Sequence, residues 1–112
     1  MVDEVRELWE ILVPCVRNNG KPIRRRCHQE WDRQVRKISG GLTILKPAIG
    51  QWTSPNGELF IERMIPVRIA CTRPQIYRIM DLTMKFYDQE AVLCAKVSSE
   101  VIIRHRNDHA KL

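Results

Sequence analysis

Apolar residues along this chain switch between a two-residue and a roughly three-and-a-half-residue period. Residues 8–16, Leu-Trp-Glu-Ile-Leu-Val-Pro-Cys-Val, are rich in β-branched and aromatic types and stop at the turn-forming Arg17-Asn18-Asn19-Gly20, which predicts a first strand. Pro14 has no amide proton for a ladder, so it should face an unpaired direction or a bulge. A helix beginning at Asp3 and including Trp9 is the alternative for this segment. From Pro22 onward, Ile23, Cys27, Trp31, Val35 and Ile38 recur at spacings of four, four, four and three, one stripe of a helix. Ser39-Gly40-Gly41 supplies its glycine stop.

Leu42 to Leu45, and then a stretch to Trp52, read as extended chain before Thr53-Ser54-Pro55-Asn56-Gly57, whose Asn-Gly suits a tight hairpin. The longest strand follows, from Glu58 to Cys71. One of its faces carries Leu59, Ile61, Arg63, Ile65, Val67 and Ile69, which we assign to the core, and the other carries Phe60, Glu62, Met64, Pro66, Arg68 and Ala70. Thr72-Arg73-Pro74-Gln75 has the residues of a capping box with proline in the first turn. Ile76, Ile79, Met80, Thr83 and Tyr87 then form a buried helical stripe. Val92 to Val97 and Val101 to Ile103 make a last strand, with a bulge expected at Ser98-Ser99.

The order strand, helix, strand, strand, helix, strand predicts an α+β, ferredoxin-like βαββαβ fold: a four-stranded antiparallel sheet with both helices on one face. We expect one domain over 1–112, with residues 1–7 and 104–112 as frayed ends. A chain of 112 residues, 44% apolar and 29% charged, is long enough to bury a core. It has no apolar run approaching the ~20 residues of a membrane span, and its charged N-terminus does not match a signal peptide. Cys15, Cys27, Cys71 and Cys94 lack metal-site or redox spacing, so reduced, packed thiols in a cytoplasmic protein are the expectation, with a Cys15–Cys94 disulfide as the alternative.

Such a sheet leaves one face uncovered, and here that face is half apolar. Strand one is apolar on both sides, with Trp9, Ile11, Val13 and Cys15 against Leu12, Pro14 and Val16. An exposed patch of this kind marks an interface or binding groove, which predicts a homo-oligomer, a dimer first. A monomer that covers the face with its own terminal segments is the alternative.

Gly41-Leu42-Thr43-Ile44-Leu45, Gly50-Gln51-Trp52, the Gly57 turn, Glu62-Arg63 and Phe86-Tyr87-Asp88-Gln89-Glu90-Ala91-Val92-Leu93 follow one another in a distinctive order. In this the chain resembles a small bacterial family of unknown function whose members share Gly-Leu-Thr-x-Leu, Gly-Gln-Trp, Glu-Arg and aromatic-x-Gln-Glu-x-Val motifs. The likeness spans about residues 40–103. It implies the same ferredoxin-like fold and no particular activity. Two features depart from it: many relatives carry a secretory or lipoprotein leader, and Arg24-Arg25-Arg26 is foreign to the pattern.

One polar constellation stands out: Gln51, Glu62, Arg63 and Arg68, with Gln89 and Glu90 as further members. Pairing about Asn56-Gly57 would make Gln51 and Glu62 near cross-strand partners beside the apolar Phe60 and Met64. Gln51, Glu62, Arg68, Phe60 and Met64 are therefore the candidate ligand-binding residues. A Glu62–Arg68 ion pair is the structural alternative, and Glu62 as an acid/base in a small enzyme a further one. No nucleophile stands beside a base, so catalysis is not favoured. His28, His105 and His109 offer no third ligand, and neither a metal nor a cofactor is expected. Arg24, Arg25, Arg26, Arg33, Arg36 and Lys37 make one helix face basic, which keeps a nucleic-acid-binding module as an alternative, weakened by the lack of stacking aromatics. The preferred expectation is a homo-oligomeric module binding a small molecule or a protein partner at the open sheet face or subunit interface.

Overall fold

The computed structural model describes residues 1–106. Its elements run β1 (Val2–Pro14), α1 (Arg25–Ser39), β2 (Thr43–Ile44), β3 (Ala48–Thr53), β4 (Leu59–Cys71), α2 (Arg73–Phe86) and β5 (Cys94–His105). All pairings are antiparallel: β1 lies between β4 and β5, and the other edge of β4 takes β2 and then β3. The ferredoxin-like architecture is as the sequence predicts, with one change: its second strand is broken, giving five strands instead of four. The break falls at Lys46-Pro47, where proline lacks an amide for the ladder. Leu45 keeps one bond across it, from its N–H to the Pro66 carbonyl at 2.9 Å.

The core lies between the sheet and both helices. β1 contributes Trp9, Ile11 and Val13, β4 contributes Val67, Ile69 and Cys71, and the helices answer with Trp31, Val35, Ile76 and Ile79, all buried. Trp31, midway along the α1 stripe, is 1% exposed and donates its indole N–H to Thr83 Oγ1 of α2 at 3.0 Å. Gly40 ends α1 at φ 90°, a left-handed cap that glycine adopts without penalty. Thr72 and Gln75 form the reciprocal capping box at the start of α2.

Three expectations change. Residues 1–7 are not frayed: from Val2 onward they pair with β5, and their charges meet partners across the ladder, Asp3 with Arg104, Glu4 with His105 and Glu7 with Lys96. Arg104 and His105 likewise belong to β5, whereas residues 107–112 of the expected C-terminal fray lie outside the described ones. Near Ser98 the β1–β5 register shifts twice, at the expected bulge. The face of β4 assigned to the core is buried only in its second half. Leu59 and Ile61 remain 58% and 62% exposed, because β3 and the first half of β4 form a hairpin arm reaching past the helices. The described molecule is accordingly elongated, 57 × 29 × 23 Å.

The cysteines are all free, Cys71 buried and the other three half-buried, so no Cys15–Cys94 disulfide forms. Cys94 stands opposite Ile11 in the ladder, four positions short of Cys15. Burial, with Cys94 nearby, pushes the Cys71 thiol up to about 11, as suits an inert packed side chain.

Candidate functional site

The arm's register decides what its side chains can meet. Pro55, with φ fixed near −65°, takes the first central position of a turn closed by Gly57 N–H to Ser54 carbonyl at 2.9 Å, and Gly57 follows at φ 87°. The loop is therefore one residue longer than a two-residue Asn-Gly hairpin, and every pair moves by one: Gly50 faces Glu62, Gln51 faces Ile61 and Trp52 faces Phe60. Gln51 and Glu62 are thus not cross-strand partners. They emerge on opposite faces of the arm. Glu62 shares its face with Trp52 and Phe60, whose rings stack 4.6 Å apart at 15°.

Arg68 also leaves the expected cluster. It lies directly opposite Glu10 in the β1–β4 ladder and bonds it at 3.1 Å, so the anticipated Glu62–Arg68 pair does not form. That pair sits on the open sheet face among the half-buried Leu8, Leu12, Pro66 and Ala70, leaving the face less exposed than its sequence suggests. At the Val2 end of this face, Arg68, Arg6 and Glu4 line a shallow second groove, where Arg6 is held by Glu4 and by the carbonyls of Ser39 and Ala70 at 2.7 and 2.9 Å. Four strongly exposed apolar residues gather on the arm, Ile49, Trp52, Leu59 and Ile61, while others, among them Val2, Val5, Leu93 and Ile102, lie elsewhere on the surface.

Beside the arm lies the larger groove, about 690 Å³. It is bounded by Gly50, Gln51, Trp52, Glu62 and Met64 of the arm, by Leu12 and Pro14 of β1, and by Asp88 to Leu93, the segment between α2 and β5. Three of the five candidate binding residues, Gln51, Glu62 and Met64, line it. Phe60 only backs Trp52, and Arg68 is elsewhere. The motif segments 50–52, 62 and 88–93, far apart in sequence, converge here. Glu62, Asp88 and Glu90 are its charged lining residues, and no Lys, Arg or His is among the described residues that line it. Within a chain of net charge +6, the groove is an acidic pocket with an aromatic wall.

The 88–93 segment is held from behind. Gln89 N–H bonds the Met84 carbonyl at 2.8 Å, a helix-ending bond that places Asp88 in the left-handed region at φ 54°. Asn18 donates to the Asp88 carbonyl at 2.7 Å, and Gln89 Nε2 donates to Asn18 Oδ1 at 3.3 Å. Tyr87, buried beneath the segment, shares a 2.7 Å hydrogen bond with His28 Nδ1, so His28 is a half-buried structural residue. Burial holds the His28 ring below the ordinary histidine range and pushes the Tyr87 phenol well above its own. Asn18, Asp88 and the His28–Tyr87 bond escape sequence reasoning because no local pattern joins positions sixty or seventy residues apart. His105 ends β5 near Glu4, and His109 lies outside the described residues. Among the described residues no three metal-ligating side chains cluster.

Because glycine is the natural occupant of the left-handed position after a helix, Asp88→Gly is expected to raise stability by about 1 kcal/mol. Chemical denaturation should read this as a higher midpoint at unchanged slope. An unchanged or lower midpoint would mean that the aspartate side chain itself holds the segment.

No helix of the described residues is long and apolar enough to cross a membrane. No protein-family model matches the chain, and no curated protein matches it. Among solved structures, the chain is similar to a phage SAM lyase in complex with S-methyl-5'-thioadenosine, with TM-score 0.62 at 13% identity over 89% of this chain and 90% of that one. It is also similar to the periplasmic divalent cation tolerance protein CutA from Archaeoglobus fulgidus, with TM-score 0.57 at 8% identity over 95% and 92%. CutA1 from Oryza sativa aligns with TM-score 0.57 at 9% identity over 95% and 86%. At these identities the likeness is one of fold: a single ferredoxin-like architecture is shared by this chain, a lyase and a cation-tolerance protein.

Proposed function

We propose that this chain is a homo-oligomeric module that binds a small, positively charged nucleoside-like molecule in the acidic groove beside its arm, with S-adenosylmethionine and its relatives as the leading class. The observation that carries this is the convergence of three separated segments, 50–52, 62 and 88–93, on one groove of about 690 Å³, a size suited to such a ligand. Its chemistry supports the class. The carboxylates of Glu62, Asp88 and Glu90 favour a cation, Trp52 offers a face for a planar base, and Leu12 and Met64 offer apolar surface. The shared fold of a lyase that holds S-methyl-5'-thioadenosine makes that compound and its sulfonium parent the first probes. The apolar arm supports assembly, since a monomer would leave Ile49, Leu59 and Ile61 in water.

Thermal-shift titration tests this. S-adenosylmethionine should raise Tm in a concentration-dependent way, and the neutral thioether less so. Gly50→Val suits a strand and directs its side chain to the Glu62 face, where the nearest atom to a new Cβ is the Glu62 carbonyl oxygen at 3.9 Å. It should fold as the parent and lose the shift. Glu62→Gln should weaken the cation by about 1 to 3 kcal/mol, roughly 5-fold to 150-fold. Absence of any shift with either compound, or a full shift in Gly50→Val, would sink the proposal. Product analysis of the S-adenosylmethionine sample also tests the second reading, a small enzyme using Glu62 as acid/base: turnover abolished by Glu62→Gln would favour it.

A further inference from the structure

We propose that the outer face of α1, together with the turn before it, is a docking surface for the phosphate backbone of double-stranded nucleic acid, separate from the groove. Eight cations and two carboxylates lie between positions 17 and 37, so this stretch holds the protein's entire net charge of +6 and the rest of the chain is balanced. On a helix, residues eleven apart return to within about 20° of each other, some 17 Å along the axis. Arg25 therefore aligns with Arg36 and Arg26 with Lys37, giving two rows of cations on the side opposite the buried Trp31 and Val35. Phosphates spaced along a strand are met by just such a row.

The placement of these charges opposes the helix. Arg25 and Arg26 occupy its first turn, where the dipole is positive, with no acidic residue there and no side-chain cap. The guanidinium groups of Arg24, Arg25 and Arg26 are exposed and make no hydrogen bond or ion pair among the described residues, whereas Arg33 is neutralised by Glu30 at 2.5 Å. Helix stability does not explain three unpaired arginines at that end; a polyanionic partner does. The outer face of α1 carries no aromatic side chain on which an unpaired base would stack, which favours a duplex over a single strand.

The test is fluorescence anisotropy of the full chain with short labelled DNA and RNA duplexes and a single strand, across a salt series. Duplex binding should fall with log salt at a slope of about −3 to −4, for about four phosphate contacts. The triple variant Arg24→Ala, Arg25→Ala, Arg26→Ala should lose at least about tenfold in affinity and about two units of that slope. Arg78→Ala with Lys85→Ala, on the exposed side of α2, should leave both unchanged. The triple variant should melt at or above the parent, because it relieves the helix start, and should keep the parent's thermal shift with S-adenosylmethionine. No salt-sensitive duplex binding, or a triple variant that binds as the parent, would overturn the proposal. So would binding of phosphatidylserine-containing vesicles with none to duplexes, which would make the partner a membrane surface.

Discussion

Truncating Trp31 to alanine is expected to lower stability by about 3 to 5 kcal/mol. The indole is 1% exposed, lies between both helices and the sheet, packs near Tyr87 with ring centres 6.2 Å apart, and donates to Thr83. Since whole domains are stable by only about 5 to 15 kcal/mol, the variant should stand near the limit of folding. Urea unfolding followed by circular dichroism would measure it. Trp31→Phe keeps most of the volume and loses only the indole N–H. Thr83 retains its own bond to the Ile79 carbonyl at 2.6 Å, so the cost should be clearly smaller. Equal midpoints for the parent and Trp31→Ala would mean that the indole does not pack as described.

Charging the arm is expected to have an effect of similar size on assembly. Ile49 and Ile61 share one face of the hairpin, diagonal across the β3–β4 ladder, and are 67% and 62% exposed. If that face meets a second copy, Ile49→Glu with Ile61→Glu should reduce the mass seen by light scattering to the 13.2 kDa protomer. Burying two unpaired carboxylates costs several kcal/mol each, more than a modest interface supplies. Because both positions lie away from the helices, the melting of the separated protomer should still be cooperative. A parent that already runs at 13.2 kDa, or a variant that keeps the parent's larger mass, would place no interface on the arm.

What the sequence disclosed and what it hid divide along a physical line. Both helices were legible because their signals are local: the Ile23-to-Ile38 stripe, Gly40 after α1, and Thr72 with Gln75 before α2. The strand order followed from alternation and crossover handedness. The arm's register was not legible from Asn56-Gly57 alone, because Pro55 claims the turn one position earlier and a single-residue slip separates Gln51 from Glu62. Arg68 was assigned the wrong partner because strands β1 and β4, distant in sequence, meet in the sheet and bring Glu10 opposite it. The N-terminal strand was masked by its charges, whose partners lie about a hundred positions away in β5. Of the candidate site, the individual residues Gln51, Glu62 and Met64 were visible, while their wall, Asp88 to Leu93 fastened by Asn18, depended on tertiary contacts.

The central place of β1 also bears on how the chain is made. Its apolar residues find no strand partner until β4 and β5 exist: Ile11 pairs with Val67 and Cys94, Trp9 with Ile69 and Lys96. A ribosome adding about 5 to 20 residues per second leaves this segment waiting roughly 4 to 17 s before its last neighbour is synthesised. Throughout that interval at least one edge of this apolar strand stays open. Contacts of such long sequence separation make for slow folding, and they make the nascent chain, more than the finished one, the natural client of a chaperone.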